Sequence, residues 1–415
     1  MHQYSEPREI RKKFFTPGVI VITLIAVNGL VFLAGRFLYG LGAVTNLNNQ
    51  YPWGLWIGID VGAGVALAAG GFTTAALGHI FHKDKYKEII RPALLTALLG
   101  YTFVAFGVFT DIGRWYYIWH PLIYWNHTSP LFEVGICVMA YLTVLYIEFL
   151  PIVTKKFIGH VNLPGILKKL NSPIDKLLRI LDRGLEKTMF AFIIAGVVLS
   201  CLHQSSLGTL MVIAESKMHP LWETPVLPLL FLLSAIAVGF PMVIMESITA
   251  ARAFDLKPEK EVLTSLANFI APLLGIYLAF KIGDMAIRNT FVYLTKLNLQ
   301  SIMFTIELVV GFIIPFRMFM SRAIRQSITG MYIASFLVIF GVFLNRFNNF
   351  IIAYKPPYIL KEYFPSIGEI SVTLGFIAME ILLYRIFVMV FPIISQPKKS
   401  IIPSSAKFEI KGIKR

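Results

Sequence analysis

Cysteine is scarce in this chain: only Cys137 and Cys201 occur among the 415 residues. Both lie inside long apolar runs, and no CxxC pair is present. Because a protein usually holds an iron–sulfur cluster with four suitably spaced thiolates, the chain cannot hold such a cluster by itself. It needs no disulfide either. The sequence therefore excludes the disulfide-stapled and cluster-bearing classes of protein.

Charged residues are also sparse, at 15% of the chain, whereas hydrophobic residues make up 56%. This is more apolar surface than a soluble core of this size could bury, so the sequence predicts an all-α integral membrane protein. About ten transmembrane helices are expected. The predicted spans are 17–39, 55–81, 92–114, 130–153, 188–213, 226–250, 262–285, 300–322, 327–345 and 367–392.

Basic residues are nearly missing from alternate loops. Of the 38 Lys and Arg residues, 28 lie in the termini and in the connections on one side of the predicted spans, and 6 lie in the loops on the other side. The positive-inside rule therefore predicts that both termini are cytoplasmic. The net charge of +15 follows this loop pattern, so we expect contact with membrane lipid and no binding of nucleic acid.

The longest polar connection, at 154–187, separates four predicted spans from six. Apolar residues recur within it at helical spacing, which predicts an amphipathic helix on the cytoplasmic surface. The predicted organisation is a cytoplasmic segment 1–16, a first four-helix bundle 17–153, the linker 154–187, a six-helix second half 188–392 and a basic cytoplasmic tail 393–415.

Ionisable side chains inside a membrane are costly, so each is a candidate for function or for an ion pair. Asp111 and Arg114 are three residues apart at the outer end of the third span, so we expect them to share a helix face. The aromatic run 115–119 follows them, and such a setting suits a flat amphipathic molecule such as a quinone. The polar candidates at this outer level come from four helices: Asp60, Asp111, Arg114, Glu133, His203 and Gln204.

Structural explanations compete with this interpretation. Glu133 could complement a helix N-terminus that Ser129 caps, and Arg114 could simply extend to the interface. Trp56, Tyr116 and the other outer aromatics could form only an aromatic belt. Asp60 and Asp111 are harder to explain in this way, because a carboxyl group one turn inside a membrane must be paired or protonated.

A second set of ionisable residues is predicted deeper in the membrane or toward the cytoplasm. Glu148 follows Glu133 by fifteen residues on one helix, about 22 Å lower at 1.5 Å per residue. Such residues could relay protons, or they could form ion pairs that hold the second half together. The set comprises His79, Glu148, Glu246, Glu307, Arg317, Glu380 and Arg385.

The histidines argue against a bound haem b. Ligation by two imidazoles needs two histidines at one depth on facing helices. His79 is predicted near the cytoplasmic end of its span and His203 toward the outside, and the other histidines fall in loops or at helix ends. We therefore expect neither a haem nor a metal site.

Several motifs together resemble the polysulfide reductase/NrfD membrane family, most of all its hydrogenase-2-type members. The resemblance covers essentially the whole chain. The motifs are 52–60 (PWGLWIGID), 111–114 (DIGR), 131–133 (LFE), 203–208 (HQSSLG) and 219–222 (HPLW).

The resemblance implies a haem-free, quinone-reactive membrane subunit. Its partners would be a four-cluster ferredoxin-like iron–sulfur subunit on the outer (periplasmic) face and a catalytic pair, with a nickel–iron hydrogenase expected. It also implies a menaquinone pocket near that face, and acidic positions for a proton route at Glu148 and Glu246. The expected location is the cytoplasmic membrane of a bacterium or archaeon.

Our hypothesis is that electrons arrive from an iron–sulfur partner and reduce menaquinone. His203 and Asp111 are candidates for hydrogen bonds to the quinone carbonyls, and Arg114 for stabilising negative charge. The expected pocket also includes Trp56, Asp60, Tyr116, Glu133 and Gln204; the expected proton path includes Glu148, Glu246, His79, Glu307 and Glu380. The alternatives are quinol oxidation for a sulfur, nitrite or cytochrome-linked complex, a secondary transporter, and a pure membrane anchor.

Overall fold

The structure is a computed structural model that describes residues 7–80, 86–359 and 361–395. Within these ranges the chain is helical, with two isolated β-bridges between loop segments. Ten helices in the described part are long and apolar enough to cross a membrane. The predicted all-α membrane fold with about ten spans is therefore confirmed, whereas the side on which the termini lie stays a prediction.

The ten long helices follow the predicted spans closely. Several are longer at the predicted cytoplasmic end, and α2, α8 and α9 contain π-helical segments. The helices are α1 (Pro17–Tyr39), α2 (Trp56–Gly78), α3 (Lys87–Asp111), α4 (Pro130–Phe157), α5 (Asn171–Val212), α6 (Leu227–Ala253), α7 (Lys260–Ile287), α8 (Leu299–Met320), α9 (Ile328–Ile352) and α10 (Ile367–Val390).

Local sequence explains where several helices begin. Thr16 precedes Pro17 and accepts a hydrogen bond from the backbone N–H of Val19. Ser129 does the same before Pro130 at the start of α4. At α10 the Ser366 hydroxyl and the Glu369 carboxylate form a reciprocal capping box. Each cap satisfies backbone donors that the first helical turn leaves free.

The first and last membrane helices pack against each other. A Cβ atom on Gly29 of α1 would lie only 2.6 Å from the Cα atom of Gly375 on α10. Two glycines facing each other let the backbones approach this closely, as small residues do between membrane helices. Helices α2 to α5 pack together, and α6 to α9 form a second group beside them.

The amphipathic stretch predicted in the linker 154–187 is helical from Asn171 onward, and its place at the cytoplasmic surface stays a prediction. Helix α5 runs without a break from Asn171 to Val212, so the amphipathic stretch is the first part of the fifth spanning helix. Forty-two residues extend about 63 Å, roughly twice the thickness of a hydrocarbon core. The Thr154 hydroxyl of α4 donates to Asp182 at 3.0 Å, which fixes this extension to its neighbour.

Helix α2 is irregular where the polar residues begin. Trp56–Ala63 and Ala76–Ile80 are π-helical, and the chain turns at Ala68 and Ala69 between them. The first π-helix packs against the π-helix Asn348–Ile352 that ends α9, where a Cβ atom on Gly58 would lie 3.1 Å from Phe350. Widened turns of this kind are frequent at functional sites, because they re-aim side chains and free backbone carbonyls.

Candidate functional site

Asp60 lies on the π-helix of α2 and faces two other helices. Its Oδ2 atom accepts a hydrogen bond from the Thr373 hydroxyl of α10 at 2.9 Å. On α3, a Cβ atom at Gly107 would lie 3.1 Å from the Asp60 Cβ atom, so the glycine makes room for this close approach. The Asp60 and Asp111 carboxyl groups are near enough to interact electrostatically.

The arginine near Asp111 is Arg36 and not Arg114. Helix α3 ends at Asp111, and Arg114 lies beyond it in a solvent-exposed turn, so the expected shared helix face is wrong. Arg36 of α1 is 1% exposed and donates from Nε to the Thr110 carbonyl and from Nη2 to the Ile112 carbonyl, both at 2.7 Å. Its guanidinium also interacts electrostatically with Asp111.

A buried carboxylate that sequence reasoning missed, Glu369, lies beside this pair. It accepts hydrogen bonds from the Tyr363 hydroxyl at 2.5 Å and from the backbone N–H of Asn46 at 3.0 Å. The Trp56 indole N–H donates to the Glu369 carbonyl at 3.1 Å, and Trp56 is 1% exposed. Trp56 therefore anchors α2 to α10. Two features of the sequence could have identified these residues. The Ser366-to-Glu369 capping pattern marks Glu369, and the position of a charged residue inside a predicted span marks Arg36.

His203 lies on the other side of α3, in a fully buried position on α5. Its ring centroid is 5.7 Å from that of Tyr101, which packs edge-on against Tyr141 at 4.4 Å. Among the residues that the structure describes, neither imidazole nitrogen has a hydrogen-bond partner. Since a buried polar group without a partner costs free energy, His203 is available to a ligand.

Gln204, the next residue, contacts α2 just before the turn at Ala68 and Ala69. Its amide donates to the Val65 carbonyl at 2.7 Å. That carbonyl is free because the Ala69 N–H donates to Ala66 instead of continuing the α-helical pattern. The Gln204 Oε1 atom is buried and has no hydrogen-bond partner within the described ranges.

Glu133 accepts a hydrogen bond from the Ser206 hydroxyl at 2.5 Å. Ser206 follows His203 by about one turn of α5. Its side chain is exposed, and it lies in the capped first turn of α4. Tyr116 is 53% exposed in the aromatic loop that follows α3. Both residues lie at the end of the bundle that is predicted to face outward.

The predicted outer set therefore divides into two groups. Asp60 and Asp111 face α1, α2 and α10, together with Arg36 and Thr373. The histidine group lies between α3 and α5 and comprises His203, Gln204, Tyr101 and Tyr141, with Glu133 at its outer edge. Within the described ranges, no hydrogen bond or ring contact joins these two groups.

Part of the predicted proton path also comes together. Glu246 of α6 faces the hydroxyl groups of Thr96 and Tyr384, and it interacts electrostatically with Glu380. The Oε1 atom of Glu380 is 3.5 Å from the position that a Cβ atom on Gly100 would occupy. These residues form a buried acidic cluster between α3, α6 and α10.

The remaining acidic positions lie elsewhere. Glu148 faces α5 at Gly196, where an added Cβ atom would be 2.7 Å from its Oε1 atom, and it interacts electrostatically with Tyr141. Glu307 lies in the second group of helices, where it accepts hydrogen bonds from Trp222, Asn345 and Asn348 at 2.7 to 2.9 Å. The His79 side chain lies outside the described part of the structure.

Comparison with known proteins identifies the family. Residues 43–355 match the family profile described as Polysulphide reductase, NrfD. A relative from Nitratidesulfovibrio vulgaris strain Hildenborough, described only as a protein, is 36% identical over 92% of this chain and 96% of its own length.

Two further relatives have informative names. The probable Ni/Fe-hydrogenase 2 b-type cytochrome subunit of Escherichia coli strain K12 is 29% identical over 95% of this chain and 97% of its own length. The menaquinone reductase integral membrane subunit of N. vulgaris is 27% identical over 86% of each chain. From the profile match over most of its length, together with its ten spanning helices, this chain belongs to the NrfD polysulphide reductase family of integral membrane proteins.

Proposed function

We propose that this protein is a menaquinone-reducing membrane subunit of a hydrogenase-2-type complex in the cytoplasmic membrane of a bacterium or archaeon. The family and the names of two relatives support this assignment. One observation carries it: His203 is fully buried beside Tyr101 with both ring nitrogens unpaired. An imidazole in that condition can bind a quinone carbonyl and pass it a proton.

The chemistry requires two electrons and two protons for each quinone that becomes a quinol. The chain has only two cysteines, so the electrons come from a partner, which we propose to be a four-cluster ferredoxin-like subunit on the outer face. That subunit would connect this protein to a nickel–iron catalytic pair. The exposed aromatic loop with Tyr116 and Trp119 lies at this outer end of the bundle.

The protein's own contribution is to position the ring and supply protons. His203 and Gln204 offer polar atoms to the ring from α5, and Tyr101 and Tyr141 connect His203 to the side of α4 where Glu148 lies. We assign Asp60 and Asp111 to proton exchange at the outer end, with Arg36 in the role first given to Arg114. Arg36 places its positive charge beside the Asp111 carboxyl group.

We further propose that protons are taken up from the cytoplasmic side through the buried acidic cluster of Glu246, Glu380, Tyr384 and Thr96. A carboxyl pair at the contact of three helices is an established arrangement for proton relay in membrane proteins. Glu307 is excluded from this route, because three donors hold it in the second helix group.

We also propose that the subunit binds no haem, although one relative is named a b-type cytochrome subunit. His203 faces Tyr101, and the other histidines with described side chains lie in loops or at helix ends. The test is the dithionite-reduced optical spectrum of the purified complex, with haem extracted and quantified. Haem in a one-to-one ratio with this chain would contradict the proposal.

The central experiment measures reduction of a menaquinone analogue by the native complex, with hydrogen as electron donor. His203→Ala is expected to lower the quinone rate by about 100-fold while hydrogen-dependent reduction of viologen stays unchanged. If the wild-type complex oxidises quinol and does not reduce quinone, electrons flow in the direction opposite to the one proposed. If His203→Ala and Asp111→Asn both leave quinone turnover intact in an assembled complex, the protein is only an anchor.

A further inference from the structure

A cavity at the predicted cytoplasmic side leads from a loop to the buried acidic cluster. The space in it that water molecules can occupy is about 30 Å³, and the cavity is partly open to solvent. Its walls come from α3, α6, α10, the loop before α7 and the segment after α10, and they include Glu246, Ser247, Glu259 and Tyr384. The lining is more apolar than polar, but this space is enough for about one or two water molecules beside the carboxyl and hydroxyl groups, and proton transfer between separated groups requires such water.

Glu259 stands at the loop side of this cavity. It is 8% exposed and accepts a hydrogen bond from the Ser247 hydroxyl at 3.1 Å. Burial and the nearby Glu88 carboxyl raise the pKa of Glu259 to about 7, against the opposing effect of the Ser247 hydrogen bond. Lys257 is the cation in the same wall, and Tyr384 faces from α10. A carboxyl group in such a place can bind a proton from water and release it again near neutral pH.

The inner wall of the cavity is part of the acidic cluster. Within the described part of the chain, no donor lies at hydrogen-bonding distance from the two buried carboxyl oxygens of Glu246, and the Tyr384 hydroxyl faces them. Glu380 follows one turn toward the outer side on α10. Thr373 is seven residues further along α10 and donates to Asp60. One face of α10 therefore presents polar groups from the cavity to the outer site, over about 16 Å between Tyr384 and Thr373 at 1.5 Å per residue.

The N-terminal segment contacts the two stretches of chain that border the opening of the cavity. The Arg8 N–H donates to the Ile394 carbonyl at 3.2 Å, and Lys12 pairs with Asp255 at 2.5 Å. Ile394 belongs to the segment after α10 and Asp255 to the loop that carries Glu259. The opening beside Glu259 is therefore bounded by fixed chain on both sides.

We propose that this cavity is the cytoplasmic mouth of the proton route, that Glu259 binds incoming protons from water, and that Glu246 and Tyr384 pass them to Glu380. Each proton that binds Glu259 leaves it for the Glu246 carboxyl through cavity water, so no charge accumulates. The proposal rests on the proposed function in one respect, since it assumes that quinone reduction draws protons from the cytoplasmic side. It assigns Glu259, Ser247 and Tyr384, which the outer site does not use.

The experiment uses the native complex in liposomes with a trapped pH dye that reports proton uptake from the side of the cavity. Hydrogen-driven reduction of a menaquinone analogue is recorded in the same sample. Glu259→Gln removes the titrating group, and Glu261→Gln is the matched control, because Glu261 is exposed two residues further along the same chain. Tyr384→Phe removes one hydroxyl group from the inner wall and preserves the packing.

Glu259→Gln is expected to slow proton uptake about 10-fold, and Tyr384→Phe about 5-fold, while Glu261→Gln behaves like the wild type. In the wild type the uptake rate should fall as the pH on the cavity side rises through about 7, the pKa of Glu259. Glu259→Gln should lose this inflection. Hydrogen-dependent viologen reduction should be the same in all variants, since it does not involve this chain.

Two outcomes would overturn the assignment of the mouth. One is a wild-type rate of proton uptake in both Glu259→Gln and Tyr384→Phe. The other is normal quinone reduction by the wild type with no proton uptake from the cavity side, which removes the relay but leaves the quinone site. A wild-type complex that reduces no quinone would instead defeat the proposed function itself.

Discussion

Arg36 of α1 donates two hydrogen bonds of 2.7 Å across the end of α3, to the carbonyl oxygens of Thr110 and Ile112. These carbonyls lie in the last turn of α3 and just beyond it, where the helix provides no backbone donors. A charged side chain from one helix therefore satisfies the end of another and brings positive charge next to Asp111. These hydrogen bonds join the first and third helices beside Asp60 and Asp111. We call this group, with Arg36 and Thr373, the outer site, because it lies at the end predicted to face outward.

Replacing Arg36 should damage both stability and activity. Arg36→Ala leaves two backbone carbonyls without their donors, at a cost of about 1–3 kcal/mol for each one that stays buried. It also removes the cation beside Asp111. We expect a lower midpoint of thermal unfolding in detergent and at least a 10-fold loss of quinone reduction. Arg114→Ala is the control, because Arg114 is exposed, and it should remain near wild type. Equal losses in the two variants would contradict the assignment.

The role of the His203 imidazole can be tested by the kinetic effect of replacing it. His203→Gln keeps a hydrogen-bonding side chain but loses the exchangeable ring proton, so it should lower kcat for quinone more than it raises KM. His127→Gln, an exposed histidine in the loop before α4, is the control and should leave both constants unchanged. A His203→Gln variant with normal kcat would show that the imidazole does not transfer a proton.

Stability should depend on pH through His219, which lies in the loop before α6. Burial, and then the nearby Lys296 and Lys355, lower the pKa of His219 in the folded protein. The unfolded chain then binds a proton at a higher pH than the folded one, so stability falls as the pH drops below about 6.5. Thermal unfolding at pH 7.5 and 5.5 measures this loss. His219→Gln should reduce the difference, and His160→Gln, an exposed histidine, should not.

The contact of α1 with α10 should tolerate no added side chain at its centre. Gly29→Val places a Cβ atom about 2.6 Å from the Gly375 Cα atom, closer than van der Waals contact allows, so the two backbones must separate. We expect loss of folded protein in membranes, measured by size-exclusion chromatography in detergent. Gly35→Ala in the same helix is the control, since its nearest neighbour would be 3.6 Å away. Normal yields of Gly29→Val would contradict the described packing.

Much of the fold could be predicted from sequence because its causes are local. Apolar runs of membrane length set the ten spans, and Thr16, Ser129 and Ser366 mark helix starts by their own hydrogen bonds. The loop parity of basic residues gives a prediction for orientation. The sequence did not show that the amphipathic stretch within 154–187 continues into the fifth spanning helix, because a polar stretch with helical periodicity looks the same whether it stands alone or extends another helix.

The membership of the outer site was harder to predict. The spacing of Asp111 and Arg114 suggested a pair only if the helix continued, and it ends at Asp111. Arg36 and Thr373 are far from Asp111 and Asp60 in sequence, so no spacing rule could connect them. Glu246 and Glu380 were both candidates, but their proximity depends on how α6 and α10 pack against α3.

The sequence by itself determined that this is a membrane protein of about ten helices with sparse, informative polar residues, since the hydrophobic effect and backbone hydrogen bonding act on each segment separately. Only the tertiary structure decided which of those residues meet. Helix packing arranges side chains through contacts between distant parts of the chain. It separated Asp111 from Arg114, gave it Arg36 instead, and left His203 buried and unpaired beside Tyr101.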